Sequence, residues 1–230
     1  MALSSVIDVD KPDRTDGSMM ATLAAEANHR IANHLALLAA MVRLHSRHLP
    51  DEEAMPVDEV RRELAEIGAR IETVGRLHGL LAVAPERGDI DLQLYLREVA
   101  QIAIASCGDR AELSLSLSPG CVTSHKEAGA IGLMVGEAII NALKYAHPTG
   151  VRGVIDVACR SEPKRGLVIE IADDGIGLPE DFDPTASDAL GLRLLRSLTA
   201  QLAARLEFDQ SGIGLCVRVV IPQRPHIVPA

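Results

Sequence analysis

Glu137-Ala138-Ile139-Ile140-Asn141-Ala142-Leu143-Lys144-Tyr145-Ala146-His147 is the stretch around which the chain is best read. The apolar spacing from Lys126 to Ala146 predicts a helix. At about 100° per residue, Glu137, Asn141 and Lys144 fall within an arc of about 60° on that helix. A carboxylate, an amide oxygen and a cation on one face suit Mg²⁺ together with phosphate oxygens. An exposed polar face carrying a helix ion pair would have the same spacing, so the helix alone does not choose.

The segments after the helix narrow the choice. Residues from Gly153 to Cys159 and from Leu167 to Ala172 read as strands, with the polar Ser161-Glu162-Pro163-Lys164-Arg165-Gly166 as a hairpin connection. The second strand runs straight into Asp173-Asp174-Gly175-Ile176-Gly177-Leu178-Pro179. Glycines there let the backbone approach a flat ligand closely, and a carboxylate at a strand end can accept a hydrogen bond from an exocyclic amine. A plain tight turn is the alternative. A polar loop from about Pro179 to Ala189 leads to Leu190-Gly191-Leu192, where backbone N–H groups at a helix start can face a phosphate. That helix is expected to run to about Ala204, and a strand from Leu215 to Ile221 closes the domain.

Upstream, Glu112 to Leu117 alternates strictly and predicts a half-buried strand. Ile90-Asp91-Leu92 is a short strand or lead-in, and Asp91 can cap a helix from Leu92 to about Ser106. Helices alternating with mostly antiparallel strands make an α+β fold, in which this half is an α/β sandwich with its helices on one face of one sheet. Residues 88–224 form this domain.

Residues 1–18 show no periodicity and read as a flexible tail. Residues 19–87 read as a helical hairpin. Its first helix runs from about Met19 to Leu49, with Ile31, Leu35, Leu38 and Val42 as a buried stripe. His29 lies roughly opposite that stripe, and Asn33 shares its face one turn on. The second helix, from about Val57 to Val83, carries Val57, Val60, Leu64, Ile67, Ile71, Val74, His78 and Leu81 in a heptad seam. Such a hairpin cannot bury all its apolar surface alone, so a homodimer with a four-helix bundle is expected. His78 on the seam is more often a packed residue than a ligand.

Composition excludes several classes. A net charge of −9 with four aromatics, Tyr95, Tyr145, Phe182 and Phe208, argues against nucleic acid, which needs a basic face and stacking rings. No apolar run is long enough to span a bilayer and no signal peptide is evident, so a cytoplasmic protein is expected. Cys107, Cys121, Cys159 and Cys216 lack the paired spacing of zinc or redox sites.

Taken together, these boxes resemble the ATP-binding domain of histidine kinases, the fold shared with gyrase-type ATPases. Glu137, Asn141, Lys144 and His147 match that family's Asn box; Asp173, Gly175 and Gly177 match its first glycine box, and Gly191 its second. His29-Arg30-Ile31-Ala32-Asn33-His34-Leu35 is similar to the phosphoacceptor box of the subgroup in which arginine follows the histidine. Arg76-Leu77-His78-Gly79-Leu80-Leu81 and the segment from Ile90 to Leu96 fit the same subgroup. The resemblance covers about residues 20 to 222.

The resemblance implies ATP and Mg²⁺ as cofactors, with Asn141 the principal metal ligand. Glu137 would position the metal-bound water or help deprotonate the attacking imidazole. Lys144 and His147 would contact phosphate or ribose, Asp173 the adenine amino group, and Gly175 and Gly177 the base. Gly191 would form part of the triphosphate lid. His29 would take the γ-phosphoryl group and pass it to an aspartate on a response-regulator receiver domain, and Asn33 would orient a water for dephosphorylating that receiver. The sequence departs from the pattern in three places. Arg30 replaces an acidic neighbour, the second glycine box keeps only Gly191, and a Gly-Thr pair near the final strand reads Gly214-Leu215. The tail is too short for a sensory domain, so the expectation is either a signal from a separate sensor protein or a core without its own sensor. A histidine phosphotransfer protein with a vestigial ATP-binding domain, and a non-catalytic partner-binding switch, are the alternatives.

Overall fold

The computed structural model describes residues 56–82, 89–106, 111–187, 189–210 and 212–222. The expected tail, the first hairpin helix, His29 and Asn33 lie outside the described residues. The elements, in order, are α1 (Val57–Ala82), β1 (Ile90–Asp91), α2 (Leu92–Ser106), β2 (Ala111–Leu117), β3 (Val122–Thr123) and α3 (His125–Tyr145). They continue with β4 (Gly153–Glu162), β5 (Gly166–Asp173), α4 (Leu190–Gln201), β6 (Arg205–Asp209) and β7 (Cys216–Ile221).

The five-stranded sheet has the order β2-β4-β5-β7-β6, and β1 and β3 form a separate two-stranded pair. Only the β2–β4 pairing in the large sheet is parallel, because α3 crosses over between those strands. Register puts Ile155, Val157 and Cys159 of β4 beside Ile171 and Ile169 of β5 and Val217 and Val219 of β7, all buried. The opposite face carries an ion-pair lattice. Glu170 is paired to both Arg160 and Arg218, and Arg218 reaches on to Glu207 and Asp209. One sheet face is therefore packed and the other is wetted by charge, as in a half-buried antiparallel sheet.

Helix α3 lies at the centre of the packed side, with nearly every residue from Ala128 to Leu143 buried. It starts at a capping box in which Ser124 accepts from the Glu127 N–H and Glu127 reaches back to Ser124. A β-carbon at Gly132 would collide with the Tyr95 hydroxyl of α2, and one at Gly136 would touch Thr73 of α1 at 3.6 Å. Gly132 therefore lets α2 lie close against α3, whereas a β-carbon at Gly136 would meet α1 only in ordinary contact. Asp91 caps α2 as expected, accepting the Gln93 N–H at 2.8 Å.

Several boundaries differ from the sequence reading. Strand β4 runs on to Glu162, so the hairpin turn shrinks to 163–165 and Arg165 N–H returns to the Glu162 carbonyl at 3.2 Å. Strands β3 and β6 were not expected. Helix α4 stops at Gln201, before Ala204, because Ala203 takes a left-handed φ of 51° that reverses the chain into β6. The α1 seam also divides. Val74 and Leu81 are buried, joined by Leu77, whereas Val57, Val60, Leu64 and Ile71 are exposed. Among the described residues no helix is long and apolar enough to cross a membrane.

Candidate functional site

Strand β5 delivers Asp173 to the edge of the packed layer. Its Oδ1 accepts the Gly175 N–H at 3.0 Å and the Leu215 N–H at 3.2 Å, while its own N–H donates to the Leu215 carbonyl at 3.0 Å. The carboxylate thus ties the glycine turn to the start of β7. Gly214 is required there: its φ is +73°, and a β-carbon would collide with the Asp173 carbonyl oxygen. Burial pushes the Asp173 carboxyl above the usual range, partly offset by the two backbone N–H groups.

The turn is laced to its neighbours at each step. Ile176 N–H donates to the Ala146 carbonyl at 3.0 Å, and a β-carbon at Gly175 would collide with Ala146. Gly177 takes φ +71°, and the next N–H, of Leu178, donates to Gln210 Oε1 at 2.8 Å. Gly175 therefore serves close backbone approach to Ala146, just past α3, and Gly177 a left-handed turn against the Gln210 side chain, just past β6.

His147, just past α3, lies 2.8 Å from Asp174 Oδ1 through Nε2, and the same oxygen accepts the Val154 N–H at 2.8 Å. The Val154 N–H, and after it His147, hold the Asp174 carboxyl below its usual range. Lys144, His147, Val154, Ile155 and Asp173 line a cavity of about 340 Å³. That is within the roughly 300–1,000 Å³ of small-molecule sites.

A second group sits at the junction of α3 and α4. Glu137 is 4 % exposed. A β-carbon at Gly191 would collide with Glu137 Oε1 and lie 3.1–3.2 Å from the side-chain amide of Asn141. Only glycine lets the first turn of α4 seat there. Its N-cap, Ala189, supplies no side-chain hydrogen bond to the leading N–H groups of α4. The helix dipole favours an anion at this end, and Glu137 meets part of that demand.

The structure thus gathers the expected residues into two sets: Glu137, Asn141 and Gly191 at the helix junction, and Lys144, His147 and Asp173 around the cavity. Gly175 and Gly177 join the second set through the turn. Sequence reasoning assigned no role to Asp174, Gln210 or Gly214, which fix the turn, nor to two exposed apolar side chains beside it. Tyr145 is 66 % exposed and Ile176 is 70 % exposed. A ring next to Lys144 and an isoleucine between two glycines were visible signals for the last two. Among the described residues no group of three or more His, Cys, Asp or Glu side chains could hold a metal.

Residues 26–107 match a family model described as histidine kinase, and residues 92–221 match one described as histidine kinase-like ATPase domain. A blue-light-activated histidine kinase 2 of Erythrobacter litoralis is 29 % identical over 218 residues, covering 93 % of this chain and 60 % of the relative. The sensor histidine kinase PdtaS of Mycobacterium tuberculosis is 27 % identical over 237 residues, covering 98 % and 44 %. The chain therefore spans between two fifths and two thirds of the length of these relatives. The solved structure of a blue-light activated histidine kinase of Erythrobacter litoralis superposes with a TM-score of 0.64 at 27 % identity, covering 86 % of this chain and 62 % of that one.

Proposed function

This chain belongs to the histidine kinase-like ATPase domain family, and from that premise we propose that it is an ATP-dependent protein-histidine kinase acting on its own His29. The observation that carries the reading is Asp173. It is a half-buried carboxyl whose Oδ1 is engaged by backbone N–H groups, set beside a cavity large enough for a small ligand. Its remaining acceptor capacity suits the exocyclic amine of adenine. Tyr145 and Ile176 offer exposed apolar surface for the flat base.

The donor set fits Mg²⁺ only together with phosphates. Glu137 and Asn141 are hard oxygen donors, too few for an all-protein cage, and Mg²⁺ is commonly held by one or two carboxylates plus substrate phosphates. Bound there, the ion would neutralise charge on the transferring phosphoryl group. Asn141 would be its principal ligand, and Glu137 would position water at the ion or accept the imidazole proton. Lys144 and His147 serve phosphate or ribose, and the first turn of α4, with Gly191, faces the triphosphate.

In the transfer, an imidazole nitrogen of His29 forms a bond to the γ-phosphorus as the bond to the ADP oxygen breaks, and the ring proton leaves to Glu137 or solvent. Neutral imidazole is the nucleophile, available near neutrality because its unperturbed pKa is about 6.5. The phosphohistidine then passes its phosphoryl group to a receiver-domain aspartate, and Asn33 orients a water that attacks the receiver's aspartyl phosphate and releases inorganic phosphate. The protein acts as a homodimer through the helical hairpin.

The test is incubation with γ-labelled ATP and Mg²⁺, beside His29→Gln and Asp173→Asn. Acid-labile label on the parent alone is the expected result. Label arriving only from a phosphorylated receiver would make the chain a phosphotransfer protein, a reading favoured by the tight seat of Gly191 on Glu137 and Asn141. No label by either route would make it a switch.

A further inference from the structure

We propose that Arg196 is a positioning residue. Its guanidinium clasps the loop ahead of α4 onto that helix, so that the loop and the glycine-bearing first turn meet the nucleotide as one preformed piece. The role rests on the nucleotide reading above; the clasp itself does not. Arg196 Nη1 donates to the Pro184 carbonyl at 3.0 Å and the Thr185 carbonyl at 2.9 Å, and Nη2 donates to the Ser187 carbonyl at 2.5 Å. Three hydrogen bonds of one rigid fork are thus spent on the main-chain oxygens of three residues within a four-residue stretch.

Other hydrogen bonds in this loop run within it. Asp183 Oδ1 accepts from both the N–H and the hydroxyl of Thr185 at 2.7 Å, the Asp183 carbonyl accepts from Ser187 N–H at 3.1 Å, and Ser187 Oγ accepts from Ala189 N–H at 3.2 Å. They shape a turn but do not tie it to the helix. Apolar anchoring is slight, since Phe182 is 38 % exposed and Asp183, Thr185 and Ala186 are all exposed. Ala189 itself provides no side-chain cap, which leaves the clasped loop as one determinant of how α4 begins. That beginning is where Gly191 seats against Glu137 and Asn141. A loop already ordered in the free protein loses less entropy when a ligand arrives.

The experiment compares the full chain with Arg196→Lys and Arg196→Gln. Limited proteolysis without nucleotide, with fragments mapped by mass spectrometry, reads the clasp. Scission within residues 179–189 is expected to quicken about tenfold in the glutamine variant and about threefold in the lysine variant, which can bond one carbonyl at a time. Cleavage elsewhere and the melting temperature should change little. Loop cleavage of Arg196→Gln at the parent rate would overturn the clasp, and so would equal acceleration at every site with general loss of stability. Titration with a fluorescent ATP analogue and Mg²⁺ reads the presentation role. Affinity should fall about tenfold in Arg196→Gln and recover in part in Arg196→Lys; unchanged affinity would overturn that role. If the parent chain binds no nucleotide, the nucleotide reading and the presentation role fall together, while the cleavage arm still decides the clasp.

Discussion

Asp173 carries two demands in one side chain. It pins Gly175 and Leu215 by their N–H groups, and it is buried enough that desolvation outweighs those bonds and raises its carboxyl. A carboxyl raised in the folded state binds its proton more tightly there than in the unfolded chain, whose value is about 3.9. Its contribution to stability is therefore greatest at acid pH and is lost as pH rises through the raised folded value. Asp173→Asn removes that titration and keeps an oxygen able to accept the two N–H groups. The melting temperature of the variant relative to the parent should be more favourable at pH 7 than at pH 3. Thermal melts across that range check it, and a trend of opposite sign would refute the assignment of burial as the dominant cause. At this scale the sequence was informative where neighbours lie along the chain. Asp173 stands at the end of an apolar run and before two glycines. Gln210, which holds Leu178, and Arg196, which holds residues 184–187, reach across loops, and no local pattern marks them.

Among the elements, α3 was legible as a helix, yet its role as the central buried rod was not. Its glycine at 132 reads as a weakness in a helix until α2 is seen to press on it. The close approach has a cost. Among the described residues the Tyr95 hydroxyl is buried without a hydrogen-bond partner, and burial raises its pKa. An unsatisfied buried hydroxyl costs about 1–3 kcal/mol, so Tyr95→Phe should stabilise the chain by about 1 kcal/mol in denaturant unfolding. Gly132→Ala should destabilise by about 1–3 kcal/mol in the parent, since its β-carbon meets that hydroxyl first. The penalty should shrink by about 1 kcal/mol in the Tyr95→Phe background, a coupling that a double-mutant cycle measures. Additive effects would show that the hydroxyl is not what the glycine accommodates. Strands β3 and β6 escaped notice for a related reason. β3 has two residues, and in β6 the apolar Leu206 and Phe208 alternate with charges whose pairing with Arg218 exists only once β7 lies alongside.

For the whole molecule, α1 belongs to two surfaces. A single heptad seam was read along its length, but the seam splits where the ATP-binding domain meets it. Thr73, Val74, Leu77 and Leu81 are buried with α2 and α3 alongside, whereas Val57, Val60, Leu64 and Ile71 remain exposed. The periodicity was a true signal for apolar surface and silent on which partner covers each part, because a 3.5-residue spacing serves a bundle and a domain face alike. If the upstream positions are the dimer surface expected from the hairpin, substitutions at the two ends of α1 must differ in kind. Leu64→Glu removes an apolar side chain from each of two subunits, about 1.5–3 kcal/mol apiece, and adds a buried charge. The dimer should weaken a hundredfold or more in sedimentation velocity, while nucleotide affinity measured on the resulting monomer stays at the parent value. Leu77→Glu places its charge inside the ATP-binding unit and should instead lower the melting temperature and the nucleotide affinity together, whatever the oligomeric state. A parent chain that sediments as a monomer across the micromolar range, or a Leu64→Glu variant that dimerises as tightly as the parent, would remove the exposed half of α1 from the interface.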